Sequence, residues 1–410
     1  MAAAAAFADN LAAGDSHLHR YYVMAETGPQ AVREVLEAKG WLPYVEGESP
    51  YWNLWWKGSR FRKSDYESCT PWQRLNHFPK TSALTRKDSL YRLLRTMRGI
   101  YGGRMYDFVP ETFALPNDYV KFVNVAVLQR YIANPLLISG YKFDMRCYVV
   151  VRSYNPLVIY LNTEGLARFA TVPYTTTSND VYAHLTNTSI NKHSPWLEDE
   201  KDEIGSGCRW TFARLRVWFE SMGMDYERVW RRIQGTIIAT LLPVAAEVPA
   251  VPVGCFELYG FDILLDDAMK PWLLEVNFGP ALSLGTDVDD EVKKPLISDI
   301  LELVGITDGD VALAEACVAK PKTRCRSAPE THHSPPSRPP SASTTTSTRR
   351  KKPPAAQPTS RANVGRLTRI FPFDATTAQL SSSASGDVPL TVGKPALKKI
   401  VQQVKKSLLV

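Results

Sequence analysis

Cysteine is scarce in this chain: six residues in 410, at positions 69, 147, 208, 255, 317 and 325. None forms a CxxC pair, and no histidines cluster at zinc spacing. A disulfide framework and a zinc module are therefore excluded, and reduced thiols in a cytosolic protein are expected. Long apolar runs are lacking too. Residues 236–253 come nearest, but Pro243, Glu247, Pro249 and Pro252 interrupt them, so no membrane span is expected. The alanine-rich start, residues 1–7, has neither a basic leader nor a long apolar region and is not read as a signal peptide. There are no internal repeats.

Neither sign of charge dominates, with 49 Lys+Arg against 42 Asp+Glu, a formal +7. The distribution is uneven. Residues 318–410 carry 17 bases and three acids (Glu330, Asp374, Asp387), a net of +14. Residues 1–317 must then hold 32 bases and 39 acids, a net of −7. A mildly acidic body joined to a basic tail points to an acidic partner.

The composition is one that packs. Hydrophobic residues are 44% and aromatics 10%, with ten Trp, which excludes disorder throughout. Residues 1–19 read as a disordered leader and 20–306 as the globular body, in which strand-type and helical segments alternate. Residues 141–152 and 157–161 suggest paired strands around a turn at 153–156. Residues 208–222 and 226–242 suggest helices, the second with Val229, Trp230, Ile233, Ile237 and Leu241 as a core stripe. Residues 307–393 read as a Pro/Ser/Thr-rich basic linker. Nine prolines fall in 321–360, with Arg349, Arg350, Lys351 and Lys352 clustered there. Residues 394–410 place Leu397, Ile400, Val401, Val404 and Leu408 on one face, a basic amphipathic helix expected to form only on a surface.

Three constellations could carry chemistry. Residues 256–265 and 272–277 read as a hairpin with its turn between Ala268 and Met269, which sets Asp262 opposite Glu275. Alternation then puts Asp262, Glu275 and Asn277 on one face, away from Phe261, Ile263, Leu274 and Val276. Adjacent carboxylates repel unless a cation lies between them, and hard oxygen donors suit Mg²⁺. The alternative is a solvated polar face, which the apolar flanks disfavour. The second constellation is Lys142, Asp144 and Arg146 on one strand face, opposite Phe143, Met145 and Cys147. It suits phosphate or carboxylate, or equally a self-compensated ion-pair ladder. The third is Arg168, placed to hold an anion, followed by Thr186 and Asn187. These two could bond a ribose or phosphate, or simply cap a helix.

Taken together, the chain resembles the tubulin-tyrosine-ligase-like family, best its polyglutamylase branch, over about residues 20–306. The resemblance rests on Asn76-His77-Phe78-Pro79, Leu84-Thr85-Arg86-Lys87-Asp88, residues 106–113, Leu115-Pro116, residues 142–146, His184-Leu185-Thr186-Asn187, and Phe261-Asp262 with Glu275-Val276-Asn277. It implies an α+β (mixed α/β) ATP-grasp ligase that uses ATP and Mg²⁺ to attach free L-glutamate to glutamate side chains of tubulin tails. Asp262, Glu275 and Asn277 would ligate Mg²⁺. Lys142, Asp144 and Arg146 would line the phosphate and acceptor region, and Arg168 would position glutamate or the reacting carboxylate. Gln129-Arg130-Tyr131-Ile132 would form the adenine hinge, with Thr186 and Asn187 near ribose and phosphates. The implied partners are tubulin and microtubules, with no membrane or nucleic acid, for a monomer acting at the cytoplasmic cytoskeleton or cilium. A glycine or tyrosine ligase of the same family is the alternative enzyme.

The sequence departs from the family in two places. After Leu115-Pro116, a Trp-x-x-Lys-Pro type run and a glycine-rich phosphate loop are expected. Here residues 117–122 pass directly into 123–129, so some tens of residues are missing near 122–123. A catalytically impaired, microtubule-binding relative is therefore a second reading. In the other place, Gly279 stands before Pro280, where Ser or Cys is expected.

Overall fold

A computed structural model describes residues 19–114, 127–197, 204–205, 208–245, 247–249, 251, 254–319, 361–381 and 395–408. The leader, Leu115-Pro116, the 122–123 junction and residues 320–360 lie outside them.

The frame of the site is an antiparallel sheet built on two long strands. β1 (Tyr141–Tyr154) and β2 (Leu157–Phe169) form an antiparallel hairpin, longer than the sequence suggested. β3 (Arg209–Thr211) pairs with the far end of β2. β4 (Glu257–Leu265) lies against β1, and β5 (Pro271–Phe278) closes that edge. On the other side of β2 come β6 (Asn363–Val364) and β7 (Leu367–Phe371), so the order is β5-β4-β1-β2-β7-β6. A second sheet of five short parallel strands, including Tyr21–Val23 and Arg74–Leu75, packs beside it.

Alternation along β1 sorts the two layers. Phe143, Met145, Cys147, Val149 and Val151 face a core shared with helix Tyr226–Ala245, through Val229, Trp230, Ile233, Ile237 and Leu241 as the stripe predicted. Tyr148 and Val150 face the opposite layer, under Val292, Leu296 and Ile300 of helix Asp287–Val304. Lys142, Asp144 and Arg146 continue this even-numbered row beyond Tyr148. Sheet geometry thus carries the polar triad out from under the helix and onto an open end of the same face.

The tail needs a correction. The range read as linker contains helix Asp308–Ala319, the β6–β7 hairpin and helix Ala375–Ser381. β7 is a full member of the main sheet, pairing Leu367 with Asn162 and Thr368 with Leu161. The averaged composition of 307–393 is set by its proline-rich part and hides a five-residue strand with Leu367 and Phe371 fully buried. Helix Pro395–Leu408 docks on helix Tyr226–Ala245, with Leu397, Ile400, Val401 and Val404 in the main core. Four of the five positions read as the apolar face are thus buried (the Leu408 side chain lies outside the described residues), and the surface that receives them is the protein's own. Removing 318–410 would therefore strip the core as well as the basic charge. Deleting a buried Leu or Ile side chain alone costs about 2–5 kcal/mol.

Candidate functional site

The hairpin β4–β5 brings Asp262 opposite Glu275, as the sequence predicts. The register is reached differently. Phe261 pairs with Val276, but after Asp262 a bulge moves Ile263 opposite Leu273. Leu273, and not Leu274, therefore fills the core, while Leu274 lines a small cavity. One inserted residue flips the side-chain alternation that follows.

Four strands then align their charges. Arg146 on β1 is the direct neighbour of Asp262 on β4, and Asp144 of Arg168 on β2. The Arg146 Nε donates to Asp262 Oδ1 at 2.5 Å and its Nη2 to Oδ2 at 3.0 Å. Arg168 donates to Asp144 through Nε (2.7 Å) and Nη2 (2.5 Å), and its Nη2 lies 3.0 Å from Asp262 Oδ2. Asn277 Nδ2 donates at 3.1 Å both to Asp262 and to Glu275. Lys87, at the start of helix Lys87–Tyr101, closes the row with an ion pair to Glu275 of 2.9 Å.

Two glycines make this packing possible. A Cβ at Gly260 would lie 2.9 Å from Pro280 and 3.0 Å from the Arg146 side chain. A Cβ at Gly165 would fall 2.5 Å from the Arg146 carbonyl and 2.4 Å from the Phe212 ring. Arg146 thus crosses its neighbouring strands where only glycine leaves room.

The electrostatics follow from burial and pairing. Burial alone would raise the Asp262 carboxyl, but Arg168 and Arg146 overcome it and hold the pKa below the usual carboxylate range. Burial works against the Arg168 charge as well, and Asp144 with Asp262 more than restores it. Lys142 is different. Burial lowers its pKa to about 8, with Asp144 opposing. Its Nζ donates to the Tyr131 hydroxyl at 3.1 Å and lies 4.5 Å from that ring's centre. Tyr131 bonds His184 Nδ1 at 2.8 Å, and His184 Nε2 faces the Ser178 carbonyl at 2.7 Å. A carbonyl only accepts, so Nε2 carries a proton, and in the neutral ring Nδ1 then accepts from the Tyr131 hydroxyl.

The hinge candidates are less concentrated. Gln129 Nε2 donates to the Thr112 hydroxyl, Arg130 is an exposed partner of Glu111, and Ile132 is half-buried. Thr186 is buried, while the Asn187 side chain accepts from Ser189 N as the N-cap of helix Thr188–Asn191. Of the two readings of Asn187, the cap is the one this geometry displays.

A cleft of about 320 Å³ opens beside the acidic residues, lined by Arg60, Thr85, Lys87, Glu275, Asn277 and Phe278. A smaller cavity of about 80 Å³ adjoins it across Lys87 and Leu90, reaching Tyr91, Gln129 and Leu274. Arg60 bonds Thr85 at 2.8 Å and stacks 4.4 Å from the centre of the Phe278 ring. Neither Arg60 nor Lys87 was singled out as a site residue from the sequence. Lys87 stood in a quoted run, but nothing in the spacing ties it to a carboxylate 188 positions later.

The donor set can be tested against a small hard cation. No group of three or more His, Cys, Asp or Glu suited to a metal exists among the described residues. What converges is two carboxylates and one amide. That is the sparse oxygen set Mg²⁺ tolerates, with water and phosphate completing the shell. The amide NH₂ of Asn277 sits between both carboxylates, so the positive end of its dipole marks the point where a cation fits. Turning that amide over would present Oδ1 there instead.

The model of the Tubulin-tyrosine ligase family matches residues 64–128 and 124–312, two segments that meet at 124–128. The chain is 41% identical over 324 residues to the probable tubulin polyglutamylase TTLL2 of Homo sapiens, covering 68% of this chain and 55% of that protein. It is 35% identical over 341 residues to the tubulin polyglutamylase TTLL5 of Mus musculus, covering 72% of this chain and 26% of that protein. The tubulin monoglutamylase TTLL4 of Homo sapiens is 31% identical over 331 residues, covering 67% and 28%. The chain thus spans little more than half the length of the first of these relatives, and about a quarter of the others. The family model matches more than half of the chain: the chain belongs to the tubulin-tyrosine ligase family.

Proposed function

We propose that this protein is an ATP-dependent ligase that joins the amine of free glutamate to glutamate side chains in the acidic tails of tubulin. The observation that carries this is one continuous polar network, Asp144-Arg168-Asp262-Arg146 with Asn277, Glu275 and Lys87, whose Glu275, Asn277 and Lys87 end lines the cleft. Family membership supports it, as do the names of the polyglutamylase relatives.

In this reading Asp262, Glu275 and Asn277 hold Mg²⁺, which when bound neutralises nucleotide phosphates. Lys142 and Lys87 bring positive charge to the phosphate side. Gln129 to Ile132 border the adenine. Thr186 adds a buried hydroxyl near them. An acceptor carboxylate takes the γ-phosphoryl group, releasing ADP, and the amine of glutamate then displaces phosphate to give the isopeptide. Arg168 and Arg146 orient the two carboxylates involved. Both arginines are engaged by Asp262 and Asp144, which keeps their guanidiniums in place until a ligand competes. The site of action is the microtubule cytoskeleton, including cilia, with the protein working as a monomer. The test is incorporation of labelled glutamate into microtubules, dependent on ATP and Mg²⁺. Labelled glycine or tyrosine taken up instead would favour the other chemistries of the family.

Lys142 gives this site a pH signature. With a pKa of about 8 it is charged below that pH and neutral above it. Phosphate binds the charged form and raises the pKa in the complex. Nucleotide affinity is therefore expected to be flat below about pH 8 and to fall above it, by up to about tenfold per unit. Titration calorimetry from pH 6.5 to 9.5 checks this. The slope should vanish in Lys142→Met, and an unchanged slope would remove Lys142 from the phosphate site.

One observation favours a second reading, a microtubule-binding relative with impaired catalysis. The 324 positions aligned with human TTLL2 fall on 68% of this chain, about 279 residues, so some 45 positions have no counterpart here. The family match also divides at 124–128. Both support a missing lysine and phosphate loop near 122–123. This reading predicts salt-sensitive co-sedimentation with microtubules and no incorporation. Neutralising Arg349, Arg350, Lys351 and Lys352, which spares the docked C-terminal elements, tests the tail's part in it.

A further inference from the structure

Positive charge also collects outside the tail. Residues 60–104 hold eleven Lys and Arg against three acids, Asp65, Glu67 and Asp88, a net of +8 inside a 1–317 body of −7. The rest of that body is therefore −15. Some of these cations have internal partners, such as Arg74 with Asp310 and Lys87 with Glu275. Helix Lys87–Tyr101 carries others that do not. Arg92, Arg95 and Arg98 are exposed, and none of the three forms an ion pair among the described residues. Arg92 influences Asp88 only through space.

Helix geometry gives the charges a direction. Lys87, Tyr91, Arg95 and Arg98 stand at i, i+4, i+8 and i+11, within about 80° of one another around the axis. Lys87 and Tyr91 already line the two adjoining cavities beside Glu275. Arg95 and Arg98 extend this row out of the cleft, about 12 and 16.5 Å along the axis from Lys87. Arg92 stands on the adjoining flank. The adjoining side of the helix, centred about 90° round from the row, carries Leu90, Leu94 and Met97, which are buried in the main core, so the row is held on a fixed element.

The geometry points to this row as the docking track for an extended acidic peptide. Its reacting carboxylate lies at the cleft, and its neighbouring carboxylates lie on Arg95, Arg98 and Arg92. An extended chain rises about 3.3 Å per residue, so five residues cover the row. Side chains on one edge of such a peptide recur about every 6.6 Å, so two repeats span the roughly 12 Å from Lys87 to Arg95, and Arg98 lies about 4.5 Å beyond. A nucleotide or a free amino acid does not need cations 16 Å from the carboxylates. A polyanionic peptide that must be presented lengthwise does. The inference rests on the acceptor being an acidic tail, as proposed above.

The test uses the full chain and a fluorescent synthetic glutamate-rich peptide, with binding read by anisotropy at low and high salt. The triple variant Arg92→Gln, Arg95→Gln, Arg98→Gln is expected to bind at least about tenfold more weakly and with a shallower salt dependence. The matching triple arginine-to-lysine variant should stay within a few-fold of wild type. In the ligase assay the Gln triple should raise KM for tubulin with little change in kcat. Unchanged peptide affinity in the Gln triple overturns the track. So does tighter binding to the row by a single-stranded RNA of equal charge. If no incorporation is seen with any variant, the anisotropy result still decides the track while the ligase reading fails. If incorporation occurs and the Gln triple leaves tubulin KM unchanged, the track fails while the ligase reading stands.

Discussion

Glu275→Gln is expected to lower ATP-dependent glutamate incorporation by about two to three orders of magnitude or more, because in the proposed site one of two charged metal donors would be lost. The same change should hardly affect folding. Glu275 is half-exposed, and its partner Lys87 is freer still, with 57% of its side chain accessible. A pair of that kind contributes about 0–1 kcal/mol, a shift of about 2 °C in Tm. Asp262→Asn should behave differently. Asp262 is 6% exposed and accepts from Arg146, Arg168 and Asn277. Arg168 would keep Asp144, but Arg146 would be left buried without a counter-charge, and breaking such a pair costs about 3–5 kcal/mol. The expected signature is lost incorporation together with a Tm lower by about 10 °C. Because its pairing holds the Asp262 pKa down, its contribution to stability is present above the ordinary Asp pKa and is lost as pH falls below it. Differential scanning fluorimetry beside the incorporation assay separates the two variants. An inactive Glu275→Gln that melts as low as Asp262→Asn would assign Glu275 to the fold and not to the metal.

Much of this site could be read from local patterns, and the limits of local pattern explain the remainder. Alternation is enough to set Lys142, Asp144 and Arg146 against Phe143, Met145 and Cys147, because β1 runs unbroken through them. The same rule places Asp262 opposite Glu275 but misplaces Leu274, since it assumes a hairpin without a bulge. It does not reveal that Arg146 belongs to Asp262 and Arg168 to Asp144. Those pairs depend on how β4 and β2 register against β1, which is a property of the sheet and not of either strand. Lys87 and Arg60 reach the cleft only through the packing of distant elements. In the tail, a composition average over 307–393 obscured β7, whose signal is five residues long. The apolar face of 395–408 was plain, but amphipathicity names a face without naming what covers it.

If a phosphate-covering segment is absent at the 122–123 junction, as proposed, inserting one there is expected to raise turnover by about two to three orders of magnitude. The reason lies in the charges already at the site. Lys87, Lys142, Arg146 and Arg168 supply four positive charges against Glu275, Asp262 and Asp144, and Arg60 on the cleft wall adds a fifth, leaving a net of two positive charges. Three of these cations are held in ion pairs, and another, Lys142, is half-neutral near pH 8. A nucleotide triphosphate with its metal still carries excess negative charge, and the transferring phosphoryl group demands compensation as it moves. A further lysine on a covering loop would provide that charge and exclude water. The experiment grafts the corresponding segment from the TTLL2 relative into this chain. It compares single-turnover incorporation with microtubule co-sedimentation. Binding should be unchanged while incorporation rises. If the chain as it stands already turns over as fast as the graft, the segment is dispensable and the binding-only reading falls. A folded, microtubule-binding graft that stays inactive would move the defect away from the junction and onto the Asp262–Glu275 end of the cleft.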